Sequence, residues 1–245
     1  MNALFRSSSI EISDFWEMFE LIFKHSMNKN FTSVFCPITH PHIELQITEN
    51  LDGSLGGYFW PSARILAMYL LHNSHLFLGK AVLELGAGLG VPGLLLGLLG
   101  AKSVLLTDNS KSIILNLTHN IAANNCINCS AEILSWEVEL TDDIHADLII
   151  GADLFYEPAD FEALLCKVAS ILAFNSDKAC KFITTYQERS SKRNIQHLLD
   201  RFNLAGKIIP IYYEEHEIRG FFSSSKKTVL DISVFSVYII EIYIP

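Results

Sequence analysis

Apolar residues in this chain follow two rhythms, and the rhythms alternate. From about residue 43 onward, short apolar blocks rich in Val, Ile and Leu give way repeatedly to stretches with apolar residues every three or four positions. The first pattern suits strands buried on both faces, the second suits helices with one buried stripe. Read this way, the chain predicts a strand or hairpin over residues 43–48 and a helix over 61–76. A strand at 81–85, a helix at 92–99, a strand at 103–107 and a helix at 111–124 follow. Strands at 131–134 and 147–152, a helix at 158–173, a strand at 181–185 and a helix at 191–202 continue the series. Pro61, Pro92 and Pro158 stand in first-turn positions and Ser110 in an N-cap position, as helix starts require. Two late β-rich segments, 207–213 and 228–243, have no helix between them and must pair antiparallel. The expectation is an α/β chain built on a single doubly wound, mostly parallel seven-stranded sheet, with ligands at the carboxyl ends of the strands.

The first forty residues carry a different pattern. Ile12, Phe15, Trp16, Phe19, Ile22 and Phe23 fall at helical spacing, with Glu11, Asp14, Glu17 and Glu20 on the other side. Residues 1–42 are therefore expected to form an N-terminal helical extension, and 43–245 the main domain. The acids oppose a mitochondrial presequence or docking on anionic lipid.

Composition narrows the picture. Half of the 245 residues are apolar and only 18% are charged, which excludes a disordered tail. The net charge of −9 opposes non-specific nucleic-acid binding, which depends on cations neutralising phosphates, and suits a protein partner with a basic segment. Five scattered cysteines read as reduced intracellular thiols. Cys126 and Cys129 form a CxxC without a second ligand pair, so no metal is expected there. Residues 85–101 are an uncharged run, but six glycines and Pro92 interrupt it, between Glu84 and Lys102. A buried turn and helix accounts for it better than a membrane span, and no membrane partner is expected.

That run begins with VLELGAGLGVPG, which fits two glycine signatures. Gly88, Gly90 and Gly93 match the dinucleotide fingerprint, whereas Glu84, Gly86, Gly88 and Gly90 match the loop that binds S-adenosyl-L-methionine (SAM). Charge separates them. A carboxylate at Glu84, expected to face the crevice, would repel a pyrophosphate but attract the cationic groups of SAM. Gly86 also follows the strand directly, as the first glycine must, while Gly88 comes two residues late.

Asp108 ends the second strand of the alternating series, where an acid accepts hydrogen bonds from both ribose hydroxyls; capping the next helix is its other reading. Trp136 can stack on the adenine or simply pack in the core. In GADLFYEP, Ala152 allows close approach of the cofactor. Asp153, Tyr156 and Glu157 then project where the methyl group is handed over, or alternatively cap the helix at Pro158. Tyr186, Gln187, Glu188 and Arg189 are placed to shape the acceptor site. Two carboxylates such as Asp153 and Glu157 can orient an arginine guanidinium and hold its developing charge, while a tyrosine hydroxyl suits a lysine amine.

Taken together, Trp60-Pro-Ser-Ala, Glu84-Leu-Gly-Ala-Gly, Leu134-Ser-Trp136 and Ala152-Asp-x-x-Tyr156 resemble the class I SAM-dependent protein methyltransferases of the methyltransferase-16 type. The resemblance runs from about residue 43 to the end and implies a Rossmann-like sheet. It carries cofactor contacts to Trp60, Gly86, Ala87, Gly88, Asp108, Trp136 and Ala152, to which the loop signature adds Glu84 and Gly90. SAM as donor and S-adenosyl-L-homocysteine as product follow. Most characterised members methylate protein lysines. The stretches GGYFWPSARILAMYL, GADLFYEPADFEALL and ITTYQERS most resemble a member that modifies histone arginine, which implies arginine in a histone tail as acceptor. Tyr156 stands where that member has phenylalanine and restores the pattern of the lysine-modifying members. Lysine in a non-histone, chaperone-type protein is the alternative, and a non-catalytic partner-binding role is less favoured. Cytoplasm and nucleus are the expected locations.

Overall fold

A computed structural model describes residues 30–35, 43–50, 55–138, 144–175, 179–187, 194–210 and 237–245. A two-stranded hairpin comes first, β1 (Asn30–Phe35) antiparallel to β2 (Leu45–Asn50). Then follow α1 (Pro61–His72), β3 (Ala81–Glu84), α2 (Val91–Leu98), β4 (Ser103–Asp108), α3 (Lys111–Ala123) and β5 (Cys129–Ile133). The second half runs β6 (Leu148–Ala152), α4 (Phe161–Phe174), β7 (Phe182–Gln187), α5 (Gln196–Arg201), β8 (Ala205–Ile209) and β9 (Val237–Tyr243).

The main sheet has seven strands in the order β5-β4-β3-β6-β7-β9-β8. The first five are mutually parallel, and β9 pairs antiparallel with both β7 and β8. This is the doubly wound sheet with an antiparallel C-terminal pair that the alternation called for. The winding reverses between β3 and β6, which opens a crevice at their carboxyl ends.

Strand alternation sorts the core into two layers. Val82, Leu148, Ile150, Ile183 and Ile239 pack with α1, α2 and α3 on one face. Leu83, Ile149, Phe182 and Ile242 pack with α4 and α5 on the other.

Several local expectations need correcting. Strand β1 falls within the stretch expected to be a helical extension, while the apolar stripe at residues 12–23 lies outside the described residues. The helix begun by Pro61 ends at His72, and a separate 3-10 turn covers Ser74–Leu76. Pro158 starts a 3-10 turn, Pro158–Asp160, before α4 begins. Ser110 occupies the N-cap position of α3, but its hydroxyl meets Ser112 Oγ at 2.9 Å instead of capping an amide.

The uncharged run of residues 85–101 resolves into the glycine loop, α2 and the turn after it. Among the described residues, no helix is long and apolar enough to cross a membrane.

Candidate active site

The loop after β3 turns back sharply because three glycines adopt positive φ: Gly86 (+55°), Gly88 (+53°) and Gly90 (+78°). Space, as well as conformation, demands glycine here. A Cβ on Gly86 would stand 2.7 Å from Leu154 Cδ2 and 3.4 Å from the Trp136 indole, and one on Gly88 would stand 3.1 Å from the Gly56 carbonyl oxygen. So the Leu55–Gly57 turn, the glycine loop, Trp136 and the segment after β6 converge on one place. Trp60, just after that turn, is half-buried; its indole donates to Leu55 O (2.8 Å) and meets Tyr58 edge-on at 5.2 Å between centroids.

Two carboxyl groups hold this loop from beneath. Asp108, half-buried at the end of β4, accepts from Gly88 N–H at 3.2 Å through one oxygen and from Ser110 N–H at 3.2 Å through the other. Burial pushes its pKa up, and the N–H groups of Gly88, Ser110 and Asn109 pull it back. The bond to Ser110 is the capping reading, and the bond to Gly88 puts the same side chain under the glycine loop.

Glu84 corrects an expectation. It does not face the crevice but points to the same side as Val82, 1% exposed, and accepts from Gly93 N–H at 2.9 Å. That amide is one of the unsatisfied donors in the first turn of α2, so Glu84 ties the helix to the strand end. Burial pushes its carboxyl up to about 8, partly offset by the Gly93 bond, with Asp108 adding a further rise. The signature carboxylate therefore shapes the loop from below.

Across the crevice, β6 ends at half-buried Ala152, and Asp153 takes φ +56°, rare for a residue with a side chain. Its N–H is held by Thr185 O (3.2 Å) and Thr185 Oγ1 (3.3 Å) at the neighbouring end of β7. Leu154 and Phe155 plunge into the core at 3% and 2% exposure, with Phe155 packed edge-on to Phe161. Those two anchors leave Asp153 buried and Tyr156 at the surface, 38% exposed. Desolvation raises the Tyr156 pKa, reinforced by Asp160, Asp108, Asp153 and Glu157, so its hydroxyl sits in a strongly acidic mouth and stays protonated at neutral pH.

Glu157 is exposed, and its carboxylate accepts from Ala159 N–H at 3.3 Å, which makes it the cap of the Pro158 turn. That was its alternative reading. Tyr186 packs beside Phe155 and Gln187 is 7% exposed at the end of β7, whereas Glu188 and Arg189 lie outside the described residues.

The residues fit SAM on the structure's own terms. The backbone cradle between Gly56, Gly86 and Gly88 would be filled by a single Cβ, an aspartate lies at its floor, and indoles from Trp60 and Trp136 flank it. Cys126 and Cys129 occupy a turn closed by Cys129 N–H donating to Cys126 O at 3.0 Å. Among the described residues, no group of three or more His, Cys, Asp or Glu side chains can hold a metal.

Comparison with known proteins decides the family. The model of a family described as lysine methyltransferase matches residues 39–201. The chain is 36% identical over 174 residues to the histone-arginine methyltransferase METTL23 of Xenopus laevis, an alignment covering 69% of this chain and 73% of that one. The chain belongs to the methyltransferase-16 family. Within this family it is also 32% identical to the mouse protein-lysine methyltransferase METTL21E, over 59% of this chain and 67% of the relative. Among solved structures, the YcgJ protein of Bacillus subtilis shares the fold at TM-score 0.50 and 14% identity, covering 72% of this chain and 94% of that one. Methyltransferase-16 membership gives a SAM-dependent methyltransferase on a Rossmann-like sheet.

Sequence reasoning missed Glu49, whose carboxylate accepts from Phe59 N–H at 3.3 Å beside Trp60, and Thr185, which clamps Asp153. No spacing rule marks either one. It also missed Asn116, Asn120 and Asn124, whose four-residue spacing was legible.

Proposed function

We propose that this chain is a protein N-methyltransferase that modifies arginine in a basic segment of a histone. The observation that carries the reading is Asp153: a carboxylate held in a strained conformation at the switch point, directly across from the glycine loop. When bound, SAM supplies an electrophilic methyl group. The chain's own residues then have separable tasks. The backbone of the loop, with Asp108 at its floor and Trp60 and Trp136 beside it, holds and orients the cofactor, while Glu84 braces the loop from below.

Asp153 faces the acceptor and fixes a guanidinium so that one nitrogen lone pair is aimed at the methyl. Its negative charge also stabilises the positive charge spread over the acceptor during attack. Glu157 and Asp160, beside Tyr156, extend the acidic character of the mouth and favour a cationic side chain. The 36% identity to a histone-arginine methyltransferase supports arginine and a histone.

One observation favours a second reading. The Tyr156 hydroxyl at the mouth can accept a hydrogen bond from an amine, which suits lysine, and the lysine-modifying relative and the family description point the same way. The deciding experiment is transfer of labelled methyl from SAM to core histones and to whole-cell protein, followed by acid hydrolysis and amino-acid analysis. Methylarginine on histone is the expected result. Methyllysine, or label only on other proteins, transfers the assignment to the second reading, and no incorporation into any protein removes both.

A further inference from the structure

Asn116 and Asn120 of α3 and Asn124 at its C-cap stand four residues apart along one side of the helix. Their carboxamides act toward β2 as a neighbouring strand would. Gln46 N–H donates to Asn124 Oδ1 at 2.8 Å and Asn124 Nδ2 donates to Gln46 O at 2.7 Å. Thr48 N–H donates to Asn120 Oδ1 at 2.9 Å, and Asn116 Nδ2 donates to Thr48 O at 2.9 Å. A strand edge that would otherwise need water or another strand is thus satisfied by side chains.

Asn120 differs from its two neighbours. It is fully buried, and its Nδ2 donates to Leu89 O at 3.2 Å, a carbonyl lying between Gly88 and Gly90. The same carboxamide therefore touches β2 with its oxygen and the glycine loop with its nitrogen. One residue beyond Thr48, Glu49 reaches Phe59 N–H at 3.3 Å, next to Trp60. The hairpin is thereby linked to the glycine loop and to the segment that carries Trp60.

We propose that Asn120 is a positioning residue of the cofactor site: it holds the Leu89–Gly90 peptide against the β1–β2 hairpin and so sets the affinity for SAM. This rests on the reading that the glycine loop binds SAM. The physical basis is preorganisation. The peptide that carries Gly90 into the left-handed region has its carbonyl fixed from behind, so the loop does not have to be ordered when the cofactor arrives.

The test is calorimetric titration with SAM and S-adenosyl-L-homocysteine, with thermal unfolding and kcat at saturating SAM measured alongside. Asn120→Ala and Asn120→Asp, the latter keeping an acceptor for Thr48 but losing the donor for Leu89, should raise Kd about tenfold, as for one lost buried hydrogen bond. Their kcat at saturation should stay within about twofold. Asn116→Ala loses a strand contact only, and Asn124→Ala loses its strand contacts and a bond to the Asn120 carbonyl but none to the glycine loop, so both should lower Tm while leaving Kd within about twofold. Equal Kd shifts in all four, or none in the Asn120 variants, overturn the proposal.

If the Asn120 variants do not fold, hydrogen exchange in the wild type decides. SAM should slow exchange at the Thr48 amide more than at Gln46, and equal or absent slowing overturns the idea. A wild type that binds neither ligand would instead overturn the cofactor reading beneath it.

Discussion

The carboxyl ends of β3 and β6 face each other across the crevice and solve the same geometric problem in opposite ways. Both must leave the strand through the left-handed region. After β3 this is done by Gly86, Gly88 and Gly90, which have no side chain to strain and leave the backbone bare. After β6 it is done by Asp153, a residue that keeps its side chain and accepts the strain. Glycine leaves bare backbone at one end and the strained aspartate keeps a carboxylate at the other, which under the proposed function suits a cofactor on the first side and an acceptor on the second. The supports differ accordingly: Glu84 and Asp108 brace the first end with side chains below it, while Thr185 clamps the second through its backbone.

The sharpest way to break this contrast is at Asp153. Asp153→Ala should lower methyl transfer by about 10²–10³-fold, the usual size of losing a preorganised charge, with SAM affinity within about twofold. Asp153→Gly should lose as much activity yet melt at a higher temperature, by about 0.5–1 kcal/mol of relieved backbone strain. Single-turnover transfer and thermal unfolding on the same samples check both. If Asp153→Gly is no more stable than wild type, the positive φ carries no cost and the comparison fails.

Glu84 gives the next largest effect, and it depends on pH. Its folded-state pKa lies well above that of an unfolded glutamate, at about 8. The folded protein thus holds a proton that the unfolded chain releases, so stability falls as pH rises from about 4.5 to 8 and is level above that. Glu84→Gln keeps an acceptor for Gly93 N–H but has no charge to bury. Without cofactor, wild-type Tm should fall relative to the variant between pH 5 and 8, reflecting a loss of stability on the order of a few kcal/mol at full ionisation. Parallel Tm curves would mean that the carboxyl is ionised in the fold.

Gly86→Ala should have the smallest effect. The new methyl meets one terminal carbon, Leu154 Cδ2, at 2.7 Å and the Trp136 indole at 3.4 Å, so a small shift of Leu154 adds to the cost of the left-handed φ, about 1–2 kcal/mol. Urea unfolding measures it, and SAM titration should show weaker binding. A fully neutral substitution would show that the loop can leave that conformation freely.

Much of this was legible because it depends on short-range periodicity. Alternating apolar rhythms implied five parallel strands with intervening helices, and β3, β4, β6 and β7 appear within a few residues of where the pattern put them. The spacing of Glu84, Gly86, Gly88 and Asp108 placed a glycine loop beside an acid, and loop and acid are found together. Strand β1 was hidden, and its partner β2 is held by helix asparagines far along the chain that no local pattern shows.

The sequence by itself determined the fold class, the site of the glycine loop and the identity of the residues around it. Burial alternation, proline placement and glycine spacing are local properties that act before any long-range contact forms. Only the tertiary structure decided the direction of side chains. Glu84 turned under α2 because Gly93 offered an unsatisfied amide once α2 had docked against the strand end. Asp153 stayed strained because Thr185, 32 residues away, supplied two acceptors for its amide. Hydrogen-bond partners far apart along the chain meet only once the sheet has formed, so their choice cannot be read from spacing.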